Sequence, residues 1–318
     1  MSRKYDIICV TLELTYSCNF SCIHCYVHGA VVAPCFFDIT NLAVLLDFLN
    51  EYEVQRVYLM GGEPLLHPDF NLIYSVLYDN GFQVALTTNG SLISDAIVEL
   101  FKSKPPAILW ISIYGFSKTE YLDVTNTDSY ERVFSNIDKL SNSGISTYYK
   151  LIVTNKIKNV NLLLDFLKNH DTAFFYCFFM PTLNGKISPL KVQMPYDDII
   201  KLYNSAGRQF KERLLPTHCN IPDTGLVVQP QGIVRPCIPF PFHTEGNLFY
   251  CDNFRTVLDE SRALHEKYCV YTEECEYCEQ RSVCSCPINI RLFGKDKKMR
   301  CEMTKLFTHE YKFNCEDL

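Results

Sequence analysis

From Ile7 to about Met180 the chain alternates two kinds of hydrophobic pattern. Short runs dense in β-branched and aromatic residues read as strands: "IICVTLEL", "VQRVYLM", "FQVALTT", "AILWISIY", "STYYKLIVT" and "AFFYCFFM". Between them lie "ITNLAVLLDFLNEY", "NLIYSVLYDN", "SDAIVELFKS", "SYERVFSNIDKLSNSG" and "NVNLLLDFLKNH", several with apolar positions three and four apart, the spacing of a helix face. Gly144, after "SNS", is a fitting helix stop. Six strands separated by helices predict right-handed parallel βαβ units, hence an α/β barrel or open sheet. In both architectures ligands collect at the C-terminal ends of the strands.

After Pro181 the rhythm breaks. "PTLNGKISPL" reads as a linker and "PYDDIIKLYNSAGRQFKERLL" as a helix; beyond Leu215 the chain is short-patterned, turn-rich and dense in cysteine. A small unit stapled by ligands fits that composition better than a second hydrophobic core. The expected division is 1–190 for the α/β unit and 191–318 for the cysteine-rich one.

Composition narrows the function. With 318 residues, 47% hydrophobic and 21% charged, the chain is long enough for a large core, and its composition is that of a soluble globular protein. A net charge of -6 gives no broad attraction for nucleic acid or anionic lipid. The start "MSRKYDIICVTLEL" has a short apolar run broken by Glu13, unlike a signal sequence, and no long apolar span follows, so the expected location is the cytoplasm, without membrane contact. Sixteen cysteines are many for a reducing compartment, which points the clustered ones to metal ligation. Cys9, Cys35 and Cys177 are scattered and read as small buried hydrophobes.

Cys18, Cys22 and Cys25 are spaced C-x3-C-x2-C just after the first strand. Three thiolates on a [4Fe-4S] cube leave one iron with an open position, where a chelating substrate can bind. A zinc site completed by His24 or His28 and chance clustering are the alternatives, although zinc more usually shows paired C-x2-C spacing. "GGEP", Gly61 to Pro64, follows the second strand: its glycines allow close backbone approach to a ligand, and Glu63 can accept bonds from an ammonium group. Read alone, it is a βα turn before a helix-starting proline. With "TNG" after the third strand and "YG" after the fourth, four motifs converge on one predicted rim.

"CNFSCIHCY", "GGEP", "TTNG" and "ISIYG" together resemble the radical S-adenosylmethionine (SAM) superfamily, over roughly the first 180 residues. The resemblance implies a partial (β/α)6 TIM-type barrel in which Cys18, Cys22 and Cys25 ligate a [4Fe-4S] cluster and SAM chelates the open iron. Gly61, Gly62 and Glu63 would receive the methionine ammonium, Asn89 and Ser112 would contact ribose or methionine, and Lys150 would pair with the carboxylate. The plainer alternatives are a turn residue before Gly90 for Asn89, an inward strand hydroxyl for Ser112 and a solvated strand-end charge for Lys150. His24 stands where the family often has an aromatic residue, so adenine would meet imidazole or only local backbone; Tyr26 would pack beside the cluster.

Cys219 lies upstream of G-x4-C, formed by Gly232 and Cys237, and Cys275, Cys278 and Cys284 follow as C-x2-C-x5-C, with Cys286 and Cys301 beyond. This ordered spacing, over the last hundred or so residues, resembles the SPASM extension of the same superfamily, a small iron–sulfur domain with two auxiliary [4Fe-4S] clusters. The resemblance implies one cluster on Cys275, Cys278, Cys284 and Cys301, and another on Cys219, Cys237 and a cysteine just past Cys284. There the family's C-x3-C is missing: Ile288 takes the position and Cys286 stands nearby, so either Cys286 substitutes or that cluster lacks a ligand. Structural zinc is the alternative for the whole region, and Cys251 and Cys269 are read as free thiols rather than replacements.

The implied reaction is one-electron reduction of the first cluster, cleavage of SAM to a 5′-deoxyadenosyl radical and hydrogen abstraction from substrate. Auxiliary clusters would accept the remaining electron and make the net change an oxidation, an oxidoreductase reaction. Enzymes resembling both halves commonly modify ribosomal peptides or protein side chains by cross-link, thioether or dehydrogenation. A peptide or protein substrate is therefore expected, with a one-electron donor such as flavodoxin or ferredoxin. The barrel pattern begins almost at residue 5, so leader-peptide recognition is expected from a separate partner protein or the barrel mouth. A tailoring oxidase of a small molecule and a non-catalytic iron–sulfur carrier are the alternatives; an open iron has no use in a carrier. Tyr114, Asn155 and Asn184 would face the cavity or cap turns, and no catalytic acid or base is identified.

Overall fold

A computed structural model of the protein describes residues 5–27, 33–176, 188–206, 223–238 and 242–268, with 179, 182–184, 186 and 240. Cys219, Cys269, Cys275, Cys278, Cys284, Cys286 and Cys301, and His28, lie outside the described residues.

All six expected strands form: β1 (Cys9–Thr15), β2 (Arg56–Gly61), β3 (Gln83–Thr88), β4 (Ile108–Ile113), β5 (Tyr148–Ile152) and β6 (Ala173–Tyr176). They lie side by side in chain order and pair in parallel. Helices α1 (Leu42–Glu51), α2 (Phe70–Asp79), α3 (Asp95–Ser103), α4 (Lys118–Thr125), α5 (Tyr130–Asn142), α6 (Val160–Asn169) and α7 (Tyr196–Ser205) are threaded between and after them. Apolar spacing decides the buried faces: α1 buries Leu42, Leu45, Phe48 and Leu49, and α2 buries Phe70, Ile73, Tyr74 and Leu77. Ser94 and Ser117 cap α3 and α4 by accepting from backbone N–H groups, and Gly144 closes α5 at φ 73°, as its position predicted.

Strand alternation gives the sheet two unlike faces. The helix-facing side is aliphatic; Val10, Leu12, Val57, Leu59, Leu86 and Ile111 are all fully buried in the main core. Each such side chain contributes about 1.5–3 kcal/mol. The other face holds a second, smaller cluster of Ala85, Ile108 and Trp110 with Tyr58, Tyr148 and Phe174 packed against it. This is the inner layer of a partial TIM-type barrel.

The sheet continues past the expected α/β unit. β7 (Gly225–Val228) pairs in parallel with the free side of β1, and β8 (Val234–Arg235) returns antiparallel beside it. α8 (Phe254–Tyr268) buries Val257 and Leu258, and these join Leu226, Val228 and Leu248 in the same core as β1. The described part of 191–318 thus extends the barrel's core, where the turn-rich composition predicted short irregular chain. A 15-residue helix escaped that reading because its surface positions are strongly charged.

Candidate active site at the strand ends

The C-terminal end of β1 runs into the loop of Cys18, Cys22 and Cys25, and three other strand ends close on it. Gly62 N–H donates to the Thr15 carbonyl (2.6 Å) and Glu63 N–H to the Ser17 carbonyl (2.9 Å). A Cβ on Gly61 would come within 2.3 Å of the Thr15 carbonyl oxygen, and one on Gly62 within 2.1 Å of that of Ser17. The glycine pair is therefore required by close approach, as its sequence suggested, but what approaches is the cysteine loop's own backbone.

Glu63 is buried, and burial pushes its carboxyl up to about 7. Its Oε1 accepts from the Thr88 hydroxyl (2.7 Å) and Leu65 N–H (3.2 Å), and its Oε2 from Asn89 N–H (2.8 Å). Three donors leave about one of a carboxylate's four acceptor positions for another partner. Asn89 donates through Nδ2 to Asn19 Oδ1 (2.9 Å) and accepts through Oδ1 from Ser91. It thus ties "TNG" to the cysteine loop. Gly90, at φ 76°, supplies the left-handed turn that the plainer reading gave to Asn89.

From β4, Ser112 is buried beside Tyr114, whose hydroxyl bonds Cys22. The loop is also fastened below: Ser21 and Ile23 N–H groups donate to the Thr125 and Val124 carbonyls at the end of α4, and Asn126 Nδ2 donates to the Ser21 carbonyl. Burial, with Glu63 and Cys25 adding to it, pushes the Cys18 thiol up to about 12, although Phe20 N–H and the Asn89 amide oppose the rise. Burial and then the other two thiols push Cys22 well up. Among the described residues no three Cys, His, Asp or Glu side chains converge as ligands of a single ion do.

His24 packs between Phe179 (ring centroids 4.9 Å) and Tyr114 (5.8 Å). Its Nδ1 is buried without a partner among the described residues, and burial pushes the ring down to about 4. Lys150 lies deeper on the inner face, its strand position paired with Ser112, and its ammonium is 5.5 Å from the Trp110 ring. It is a half-buried inner-face cation, not the solvated strand-end charge that the plainer reading expected. Asn155 ties the end of β5 to the distant 191–192 segment, its Nδ2 donating to the Lys191 carbonyl and its N–H to that of Val192, while Asn184 serves a local turn, its Oδ1 accepting from Thr182. Cys251 donates to the Leu248 carbonyl and stands near Glu51, at the opposite end of the sheet from the cysteine loop.

Residues 12–162 match the family model described as the Radical SAM superfamily. The matched stretch runs from within β1 to the start of α6 and takes in all four strand-end motifs, the cysteine loop among them. The chain is 26% identical over 266 residues to the antilisterial bacteriocin subtilosin biosynthesis protein AlbA of Bacillus subtilis, covering 78% of this chain and 59% of that protein. It is 29% identical over 153 residues to a probable GTP 3′,8-cyclase of Sulfurisphaera tokodaii, covering 48% of each. The chain thus spans about half the length of the curated relatives it matches. Streptococcus suis SuiB, in a crystal structure bound to its precursor peptide SuiA, superposes with a TM-score of 0.70 at 15% identity, over 90% of this chain and 73% of that one; the likeness is one of fold.

The radical SAM family implies a [4Fe-4S] cluster and SAM, and the residues fit both. The three thiols of the loop are half-buried, and burial with the neighbouring thiols disfavours ionisation of Cys18 and Cys22, so the positive charge of a cluster is what would hold them as thiolates. The orphaned His24 Nδ1 between two rings suits a donor on a flat heterocycle, and Glu63 keeps an acceptor position on the same rim. Sequence reasoning missed Glu13 and Arg235, a fully buried ion pair beside this loop. Its signal was available: Glu13 interrupts an apolar strand, and on the strand's inner face such a charge needs a partner.

Proposed function

We propose that the protein is a radical SAM enzyme that reductively cleaves SAM and oxidatively modifies a side chain of a ribosomal peptide or protein, by cross-link, thioether or dehydrogenation. The observation that carries it is the wedging of Gly61, Gly62 and Glu63 against Thr15–Ser17, which joins the ammonium-accepting carboxylate to the three-thiol loop as one unit. When bound, the cluster supplies the electron that breaks the sulfonium bond, and the adenosyl fragment abstracts hydrogen. Cys18, Cys22 and Cys25 would hold the cluster; Glu63, with Gly61 and Gly62, would take the methionine ammonium; Ser112, Asn89 and Lys150 would line the remaining rim and lumen; and His24 would meet adenine. Asn89 acts first by fixing the loop, through Asn19. Tyr58, Trp110, Tyr148 and Phe174 exclude water from the layer beneath.

A peptide or protein substrate is supported by the likeness to AlbA over 78% of this chain, and by the shared fold with SuiB, crystallised with its precursor peptide. The C-terminal cysteines, Cys219, Cys237, Cys275, Cys278, Cys284, Cys286 and Cys301, would carry auxiliary clusters in a SPASM-like unit, making the reaction an oxidation. A flavodoxin- or ferredoxin-type donor would supply the first electron, and a separate peptide-binding protein would present the leader. The likeness to a GTP 3′,8-cyclase favours a second reading, a small-molecule substrate.

Anaerobic incubation of reconstituted protein with reductant and SAM is expected to release 5′-deoxyadenosine, and Glu63→Ala to weaken SAM binding at least tenfold. No 5′-deoxyadenosine, together with unchanged binding by Glu63→Ala, would sink the reading. A short Cys- or aromatic-rich peptide encoded beside the gene, gaining a mass change in the same assay, separates the peptide from the small-molecule reading.

A further inference from the structure

Glu13 is wholly buried at the inner, C-terminal end of β1, and its carboxylate collects three donors. Arg235 Nη2 lies at 2.5 Å from Oε1, the Tyr26 hydroxyl at 3.0 Å from the same oxygen, and the Tyr16 hydroxyl at 2.8 Å from Oε2. Arg235, only 1% exposed, donates through Nη1 to the Ile238 carbonyl (2.8 Å). These contacts have a common address. Tyr16 lies two residues before Cys18, Tyr26 directly follows Cys25, and Ile238 directly follows Cys237.

A buried ion pair gives little stability over a well-packed apolar pair of the same volume, so stability alone is a poor account of its presence. What an apolar pair cannot do is bind both ends of the cysteine loop and the Cys237 segment at fixed angles.

We propose that Glu13 and Arg235 are a positioning pair that locks the Cys18–Cys25 loop to the segment of Cys237, and so sets the pose in which the loop's cluster takes SAM. The inference rests on the radical SAM reading above. Neither residue touches the reacting atoms; each acts through Tyr16, Tyr26 and Ile238.

The test uses the full chain, reconstituted anaerobically, as wild type and as Glu13→Gln, Arg235→Met, their double variant and Arg235→Lys. Iron per chain, thermal midpoint, SAM affinity and the SAM-induced change in the EPR signal of the reduced protein are measured. Each single variant is expected to lower the midpoint, because it strands a buried charge. The double variant, with neither charge left, is expected to recover the midpoint yet bind SAM at least tenfold more weakly, with an altered EPR response. Arg235→Lys keeps the charge but not the fork, and the same loss of SAM affinity is expected in a folded protein.

A double variant equal to wild type in midpoint, SAM affinity and EPR response would overturn the proposal, as would wild-type SAM affinity in Arg235→Lys. Wild-type protein that takes up neither iron nor SAM would instead overturn the functional reading, and the inference with it. The two failures are thereby told apart.

Discussion

Lys150 and Gly62 show how single residues on the site trade stability for position. Lys150 holds its ammonium over the Trp110 ring, and burial pushes it down to about 8 from an ordinary value of 10.5. Between those two values the unfolded chain binds more protons than the folded one, so stability rises with pH across that window, and the penalty is full below pH 8. Lys150→Met is expected to stabilise the protein by about 1–2 kcal/mol at pH 7, less than the whole shift because the side chain is only half-buried. It should also flatten the rise from pH 8 to 10.5; urea unfolding across that range checks both, and an unchanged rise would exclude Lys150 as its source. Gly62→Ala carries the opposite lesson. Its Cβ would stand 2.1 Å from a backbone oxygen of Ser17, an atom with no flexible end to swing aside. The expected result is displacement of the cysteine loop, a loss of about 2 kcal/mol or more and iron uptake well below wild type, read by calorimetry and iron analysis. The sequence made the need for glycine legible, since two in a row after a strand signal close approach. The partner was not legible, because Ser17 reaches Gly62 only through the parallel pairing of β1 with β2.

At the scale of elements, α4 explains both what could be read along the chain and what could not. The six strands were legible because each run of β-branched and aromatic residues serves two buried faces. α4 was not: "KTEYLDVT" offers only Tyr121 and Val124 as large apolar anchors over eight residues. Its place is fixed instead by Glu120, fully buried, which accepts from the N–H groups of Phe116, Lys158 and Asn159 and so joins the loops after β4 and β5. Although burial opposes its charge, those bonds keep its carboxyl below the usual range. The end of α4 then supplies the carbonyls that hold the cysteine loop, with Asn126 at φ 55° closing the helix and bonding the Ser21 carbonyl. Asn126→Gly keeps the left-handed conformation and loses one bond, for an expected cost of about 0.5–1 kcal/mol; Asn126→Ala adds backbone strain, for about 1–2 kcal/mol. If α4 anchors the loop, both variants lower iron uptake, Ala more than Gly; uptake that does not follow this order would detach α4 from the site.

For the whole molecule, the question is whether the chain beyond residue 190 is a separate unit or part of the barrel. Its cysteine density spoke for a separate unit, and composition alone could not reveal that "GLVV" pairs with β1, because four residues carry no signal for a partner some two hundred positions earlier. The pairing places Arg235 beside Glu13, and α8 buries Val257 and Leu258 against the shared core. A Leu258→Ala substitution removes a side chain that is 1% exposed and is expected to cost about 2–5 kcal/mol. In a shared core the loss falls on the one cooperative transition that also unfolds β1, so near-ultraviolet circular dichroism, tryptophan fluorescence from Trp110 and release of cluster iron should shift to lower urea together. In a self-standing unit the mutation would move a second transition and leave the Trp110 signal where it was. Coincident shifts would mean that the segment of Cys237 cannot loosen without the barrel, which is the mechanical condition for Glu13 and Arg235 to hold two cysteine sites in one pose.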